Sequence, residues 1–265
     1  MKPTNDSDAP SKMRCPHRKV GGMPVALCGE AELTDLMVAD IHAHRQQQLD
    51  APVTIFSANG HSLSLYASNP EFAEAMDAAG LIHADGQSIV TMSRLLPGPN
   101  IAERTATTDF IHAAARGAAA MNASFYILGA KQAVNARATE VLEQSYPGLR
   151  IAGARHGYFD PSEEQEIIDA INASHADVLW VGLGKPREQL FIHRNRHKLR
   201  CAWIVSCGGC FDFVAGSYRR APGWMQAAGL EWVHRAATGP RYLILRYLTT
   251  NLHTLWLGIR YARLV

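Results

Sequence analysis

Three kinds of residue in this chain have the types and spacing to do chemistry. The first is a carboxylate: Asp85 stands in Ala84-Asp85-Gly86, directly after the short apolar run Leu81-Ile82-His83. At a sheet edge and partly buried, it can take a proton from a substrate hydroxyl; the plainer reading of Asp-Gly after a strand is a turn. The second is a set of glycine turns closing apolar runs, Gly129-Ala130-Lys131, Gly182-Leu183-Gly184-Lys185 and Gly208-Gly209. Their amides and the helix starts behind them suit phosphate oxygens, although none is a full dinucleotide fingerprint or Walker loop. The third is arginine, at Arg104 in a loop and in a basic tail, where a guanidinium can clamp an anion or lie solvated.

Other chemistry finds less support. Cys207-Gly-Gly-Cys210 has no second Cys or His pair at zinc spacing, so small buried thiols are expected there. The twelve histidines show no HExxH spacing, and no metal is predicted. Five cysteines are odd in number and make no secreted-type framework, so reduced thiols are expected.

The elements that must position these groups follow an alternating pattern. Val53–Phe56 reads as a strand entering the polar loop Ser57-Ala58-Asn59-Gly60, and 70–79 as a helix with Asn69 as cap and Pro70 at its first position. Residues 81–83 are a short strand, 87–96 a helix broken by Pro97-Gly98-Pro99, and 108–121 an alanine-rich helix. Strands at 124–128, 149–152, 177–182 and 202–206 then alternate with helices at 132–146, after Ser162, and at 187–199. This order predicts an α/β fold, a Rossmann-like doubly wound, mainly parallel sheet. The apolar runs 178–181 and 202–205 read as buried parallel strands whose glycine loops flank one crevice.

The whole chain sets the limits. With 265 residues, 47% of them hydrophobic, it can bury a large core. A net charge of +2 is too small to argue for nucleic acid, which is not expected as a partner. Residues 1–18 are polar without an apolar core segment, and are expected to form a disordered arm with no signal peptide. The α/β unit is placed at 19–218 and a helical appendage at 219–265. From Gly216 onward the chain carries seven arginines against the single acid Glu231. Trp224, Trp232 and Trp256 are interleaved, and Leu248, Leu252, Leu255 and Ile259 recur at helical spacing. This pattern suits a helix packed on the sheet, an interfacial helix on an anionic membrane surface, or a single-strand binder; the leucine stripe favours membrane.

Taken together, these motifs resemble the WecG/TagA/CpsF glycosyltransferases. The carriers are Ala84-Asp85-Gly86, Glu103-Arg104, Tyr126-Ile127-Leu128-Gly129, Tyr146-Pro147-Gly148-Leu149-Arg150-Ile151 and His156-Gly157-Tyr158-Phe159. They continue with Val181-Gly182-Leu183-Gly184-Lys185-Pro186, the run from Gly208 to Gly216, Arg220-Ala221-Pro222 and Gly229-Leu230-Glu231-Trp232. The resemblance implies an inverting, metal-independent hexosyltransferase that needs no cofactor. It would move glucose, N-acetylmannosamine or its uronic acid from a UDP-sugar to a polyprenyl-diphosphate-linked sugar. The setting would be peripheral, on the cytoplasmic face of the inner membrane, in exopolysaccharide or other cell-surface polysaccharide synthesis; a homo-oligomer is left open.

Carried over residue by residue, the resemblance makes Asp85 the base and places Ser57, Asn59 and Arg104 at the donor. Gly129, Ala130, Gly182, Gly184, Gly208 and Gly209 would cradle UDP, with Phe211 and Asp212 on the last loop and Asp212 a candidate for ribose or uracil. Arg220 starts the appendage, and its arginines Arg235, Arg241 and Arg246 would serve acceptor and membrane. Four of these positions depart from the family pattern. Glu188 and Gln189 stand exchanged, which puts a carboxylate where an amide is expected and points to donor specificity. Ser57 replaces a threonine and Cys210 a serine. The competing reading is a non-catalytic nucleotide-binding protein whose basic tail holds an acidic partner or nucleic acid.

Overall fold

The structure, a computed structural model, describes residues 15–239 and, in the tail, residues 244, 249, 250, 253, 254, 256, 257 and 260. It opens with an antiparallel hairpin, β1 (His17–Val20) and β2 (Met23–Ala26). The turn is Gly21-Gly22, both at positive φ (57° and 89°), as a two-residue hairpin turn requires. The register sets residue 15 opposite residue 28, and Cys15 and Cys28 form a disulfide with Cα atoms 6.0 Å apart. Two expectations are thereby corrected. The arm read as disordered through residue 18 is a strand by His17, and two thiols read as reduced are joined. Arg18 is buried, and its guanidinium donates to the carbonyls of Ser93, Leu96, Pro97 and Pro99.

After helix α1 (Glu30–Arg45) come β3 (Val53–Ala58), α2 (Gly60–Ser68), α3 (Pro70–Asp77), β4 (Leu81–Ala84), α4 (Gln87–Leu95) and α5 (Thr107–Ala120). The second half holds β5 (Ser124–Gly129), α6 (Gln132–Ser145), β6 (Arg150–Arg155), α7 (Glu164–Ala173), β7 (Val178–Gly182), α8 (Arg187–Asn195) and β8 (Trp203–Ser206). Three short helices follow: α9 (Cys210–Val214), α10 (Gly223–Ala227) and α11 (Glu231–Thr238). The six strands β3 to β8 form one sheet in the order β4-β3-β8-β7-β5-β6, every neighbouring pair parallel. The doubly wound α/β expectation holds.

Strand side chains alternate between two cores because successive residues point to opposite faces. Phe56, Leu179, Val181 and Ile204 pack with α2, α3, α7 and α8 on one side. Ile55, Trp180, Trp203 and Val205 pack with α1, α5 and α6 on the other. Ser57–Gly60, read as a loop, splits differently. The strand runs to Ala58, and Asn59 caps α2, its Oδ1 accepting from the Ser62 N–H at 3.1 Å while Ser62 Oγ accepts from the Asn59 N–H.

The strand ends are drawn together by glycine. A Cβ on Gly129 would collide with the carbonyl of Gly182, and one on Gly182 would meet the Gly208 carbonyl and the Phe211 ring. These glycines let β5, β7 and the loop after β8 approach closely. Gly129→Ala, which also has φ +145° to contend with, is expected to lower stability by more than about 2 kcal/mol. Gly223→Ala, whose Cβ would enter open space, should stay within about 0.5 kcal/mol. Urea unfolding of both variants checks this, and equal stabilities would contradict it.

Candidate active site

The loops after β3, β4, β7 and β8 surround one cavity of about 710 Å³, closed on its far side by α11 and by Thr250 and Thr254 of the tail. Ser57, Asn59, Asp85, Arg104, Gly184, Gly208, Gly209 and Arg235 all line it, so these expected site residues do converge.

Asp85 sits where two helices begin. Its Oδ1 accepts from the backbone N–H of Thr107 (2.9 Å) and from Thr107 Oγ1 (3.0 Å), doing for α5 what its N-cap, Ala106, cannot. Its Oδ2 accepts from Asn59 Nδ2 at 3.0 Å. Asn59 is itself fixed as the cap of α2, so the carboxylate cannot turn away without uncapping a helix. A carboxylate has about four acceptor sites, and three donors leave one direction on Oδ2 unspent.

Burial alone would raise the Asp85 carboxyl. Lys185, His83 and the donors from Thr107 and Asn59 outweigh burial and hold it at about 2. The α5 dipole acts in the same sense. His83 donates from Nδ1 to the Thr105 carbonyl (2.9 Å), and burial pushes its imidazole down, so it is neutral near pH 7. Lys185 is therefore the cation whose field reaches Asp85 there. In the sequence it stands only as part of a glycine turn; in the fold it lines the cavity and donates to Ser57 Oγ at 2.7 Å.

Glu188 has a different task from the one its exchange with Gln189 suggested. Both side chains are fully buried. Glu188 Oε2 accepts from the N–H groups of Gly184 and Gly208, each at 3.0 Å, and Oε1 accepts from Gln189 Nε2 at 3.1 Å. Two amides assigned to a ligand phosphate are thus already taken by an internal carboxyl group that joins the two loops. A sugar-contacting role for this pair is corrected to a strut.

Other expected contacts also move. Gly129 and Gly182 serve strand packing, and neither they nor Ala130 line the cavity. Phe211 is fully buried in the core behind it. Asp212 is half-buried behind the wall, where burial raises its carboxyl against the pull of Arg235 and Lys131. Cys207 and Cys210 are buried free thiols, as expected, pushed up by burial.

The arginines divide three ways. Arg220, expected at acceptor or membrane, is a tether: it pairs with Asp109 on α5 and Glu231 on α11 and donates to Gln226. Glu231 is shared, because its other oxygen takes Arg104 at 2.7 Å. Arg235 reaches the cavity with its guanidinium 5.0 Å from the Phe213 ring centre. Arg241 and Arg246 lie outside the described residues, as do the four positions of the leucine stripe.

A profile described as the "Glycosyl transferase WecG/TagA/CpsF family" matches residues 18–264, nearly the whole chain. The chain belongs to the WecG/TagA/CpsF glycosyltransferase family. The chain is also similar to the N-acetylglucosaminyldiphosphoundecaprenol N-acetyl-beta-D-mannosaminyltransferase of Bacillus spizizenii, 33% identical over 172 residues. That alignment spans 65% of this chain and 66% of the relative, just under two thirds of its length. Family membership gives the cavity its context: the α/β sheet edge, Asp85 and the closing α11 all fall within the matched span.

The strut makes a pH-dependent prediction. Because the folded Glu188 carboxyl is raised above its ordinary value, its contribution to stability is present below that value and lost as pH rises through the folded one. Glu188→Gln, which keeps an acceptor and removes the charge, should gain stability relative to wild type on going from pH 4 to pH 7. Glu188→Ala leaves the two half-buried amides without their acceptor and opens space in the core, and should lose about 1–3 kcal/mol at both. Thermal melts at the two pH values decide it; a Gln variant that loses ground as pH rises would contradict the assignment.

Proposed function

We propose that the protein is an inverting hexosyltransferase that moves a sugar from a UDP-sugar to a polyprenyl-diphosphate-linked sugar. The observation that carries this is the Asp85 carboxylate: ionised, fixed by three donors, with one acceptor direction left, on a cavity that also exposes cations. In the step, the acceptor hydroxyl oxygen attacks the anomeric carbon from the face opposite the diphosphate. The bond from that carbon to the β-phosphate oxygen breaks, UDP leaves with the electron pair, and the hydroxyl proton passes to Asp85. The geometry favours a preformed base, since no side chain has to be reoriented to present it.

The reading assigns charge neutralisation to lysine and arginine rather than to a metal ion. Among the described residues no three His, Cys, Asp or Glu side chains come together as ligands. The relative's name supports a lipid-linked N-acetylglucosamine as acceptor and an N-acetylmannosamine donor as the first pair to assay.

A lipid-linked acceptor calls for a membrane surface at the cavity mouth. Leu95 on α4, Trp224 on α10 and Trp256 in the tail are exposed at 75%, 67% and 51%. Arg260 lies over the Trp256 ring at 5.3 Å. Apolar rings with a cation beside them suit a headgroup layer, and among the described residues no helix is long and apolar enough to cross a membrane. We place the enzyme peripherally, on the cytoplasmic face of the membrane.

Incubated with UDP-N-acetylmannosamine and polyprenyl-diphosphate N-acetylglucosamine, the protein should release UDP and form a disaccharide lipid. Asp85→Asn keeps the shape and removes the base, and should lower kcat by about 10²–10⁴-fold with little change in KM. Undiminished turnover in that variant would remove Asp85 as base. No UDP release from any UDP-sugar would leave the protein a nucleotide-binding module.

A further inference from the structure

The cavity's inventory of anion-binding groups is shorter than its sequence suggests. The amides of Gly184 and Gly208 are occupied by Glu188. Arg104 is engaged by Glu231, and Arg235 lies against Phe213 at the α11 side. Lys185 is a half-buried cation of the same wall, and its charge pulls the carboxyls of Asp85 and Glu188 downward, at Glu188 against a larger rise from burial. Among the described residues it has no ion pair within 4.0 Å, and its hydrogen bond goes to a neutral hydroxyl, Ser57 Oγ. An ammonium on a flexible stem, resting on a neutral acceptor at the wall of a cavity, is poised to exchange that acceptor for an anionic one.

We propose that Lys185 is the diphosphate-binding residue of the donor site, resting on Ser57 in the free protein and turning to the phosphate oxygens when the cavity fills. The inference rests on the nucleotide-sugar reading and assigns it a residue. Two consequences follow from the geometry. The leaving diphosphate gains a charge-assisted donor where bond breaking builds negative charge. Asp85, losing part of the neighbouring positive field to the diphosphate, becomes a better proton acceptor only when donor is bound. The same movement then couples occupancy of the donor site to readiness of the base.

The test is calorimetric binding of two probes, UDP and uridine, to the full chain. Wild type should bind UDP more tightly than uridine. Lys185→Met, similar in length but uncharged, should weaken UDP by roughly tenfold or more and leave uridine unchanged, while Lys185→Arg recovers part of the loss. Ser57→Ala, which removes the resting acceptor and keeps the charge, should hold or increase the preference for UDP. This second variant separates the proposal from a simple tether between loops. A Lys185→Met protein with the full UDP preference overturns the proposal, and so does a Ser57→Ala protein that loses it. Wild type binding neither probe overturns the nucleotide-sugar reading itself.

Discussion

Two helix N-termini and one carboxylate set the geometry on which the site depends. The Asp85 oxygens accept from the first N–H of α5 and from the residue that caps α2. An exposed carboxylate is free to rotate and to protonate; this one is fixed because releasing it uncaps α5 and unseats Asn59. Its hold at about 2, against about 3.8 unfolded, is worth on the order of 2 kcal/mol, present above pH 4 and lost as pH falls toward 2. The base of the proposed reaction and a stabilising contact of the fold are thus one interaction. Low basicity in the free protein accompanies that stability, and a partner that draws off Lys185 relieves it.

A second buried carboxyl arranges the other side of the cavity. Glu188 satisfies the amides of two glycine loops, at Gly184 and Gly208. Burying a carboxylate costs free energy, and its three donors offset only part of that cost, since burial still raises the carboxyl. The loops are therefore rigid before any ligand arrives. The floor they form presents Lys185, with the N–H groups of Gly184 and Gly208 turned to Glu188. Glu231 plays the corresponding part at the closing side, joining Arg104 of the cavity wall to Arg220 of the segment leading into α10.

The sheet was legible from residues alone because its central strands are buried on both faces and read as unbroken apolar runs, such as Val178–Val181 and Ala202–Val205. Asp85 and the strand-end loops were legible because loops at one edge of a parallel sheet must converge. The destinations of particular donors were not. Lys185 meets Ser57 across 128 positions and Glu188 meets Gly208 across 20, and no local pattern specifies such partners. Helix α1 leaves little trace in the sequence because few of its sixteen residues face the core, Leu33, Met37 and Ile41 among them, so its periodicity is faint. The hairpin at Gly21-Gly22 did carry a signal, two glycines between short strands, and with it the pairing of Cys15 and Cys28.

The central claim is that Asp85 stands ionised and fixed before any substrate arrives. Titrating its side-chain carboxyl by carbon NMR, with Asp85→Asn to assign the resonance, tests this most directly. The account predicts a carboxylate that stays ionised at pH 4 in the free protein, with a midpoint near about 2. A midpoint at or above about 4, the ordinary value for aspartate, would contradict it.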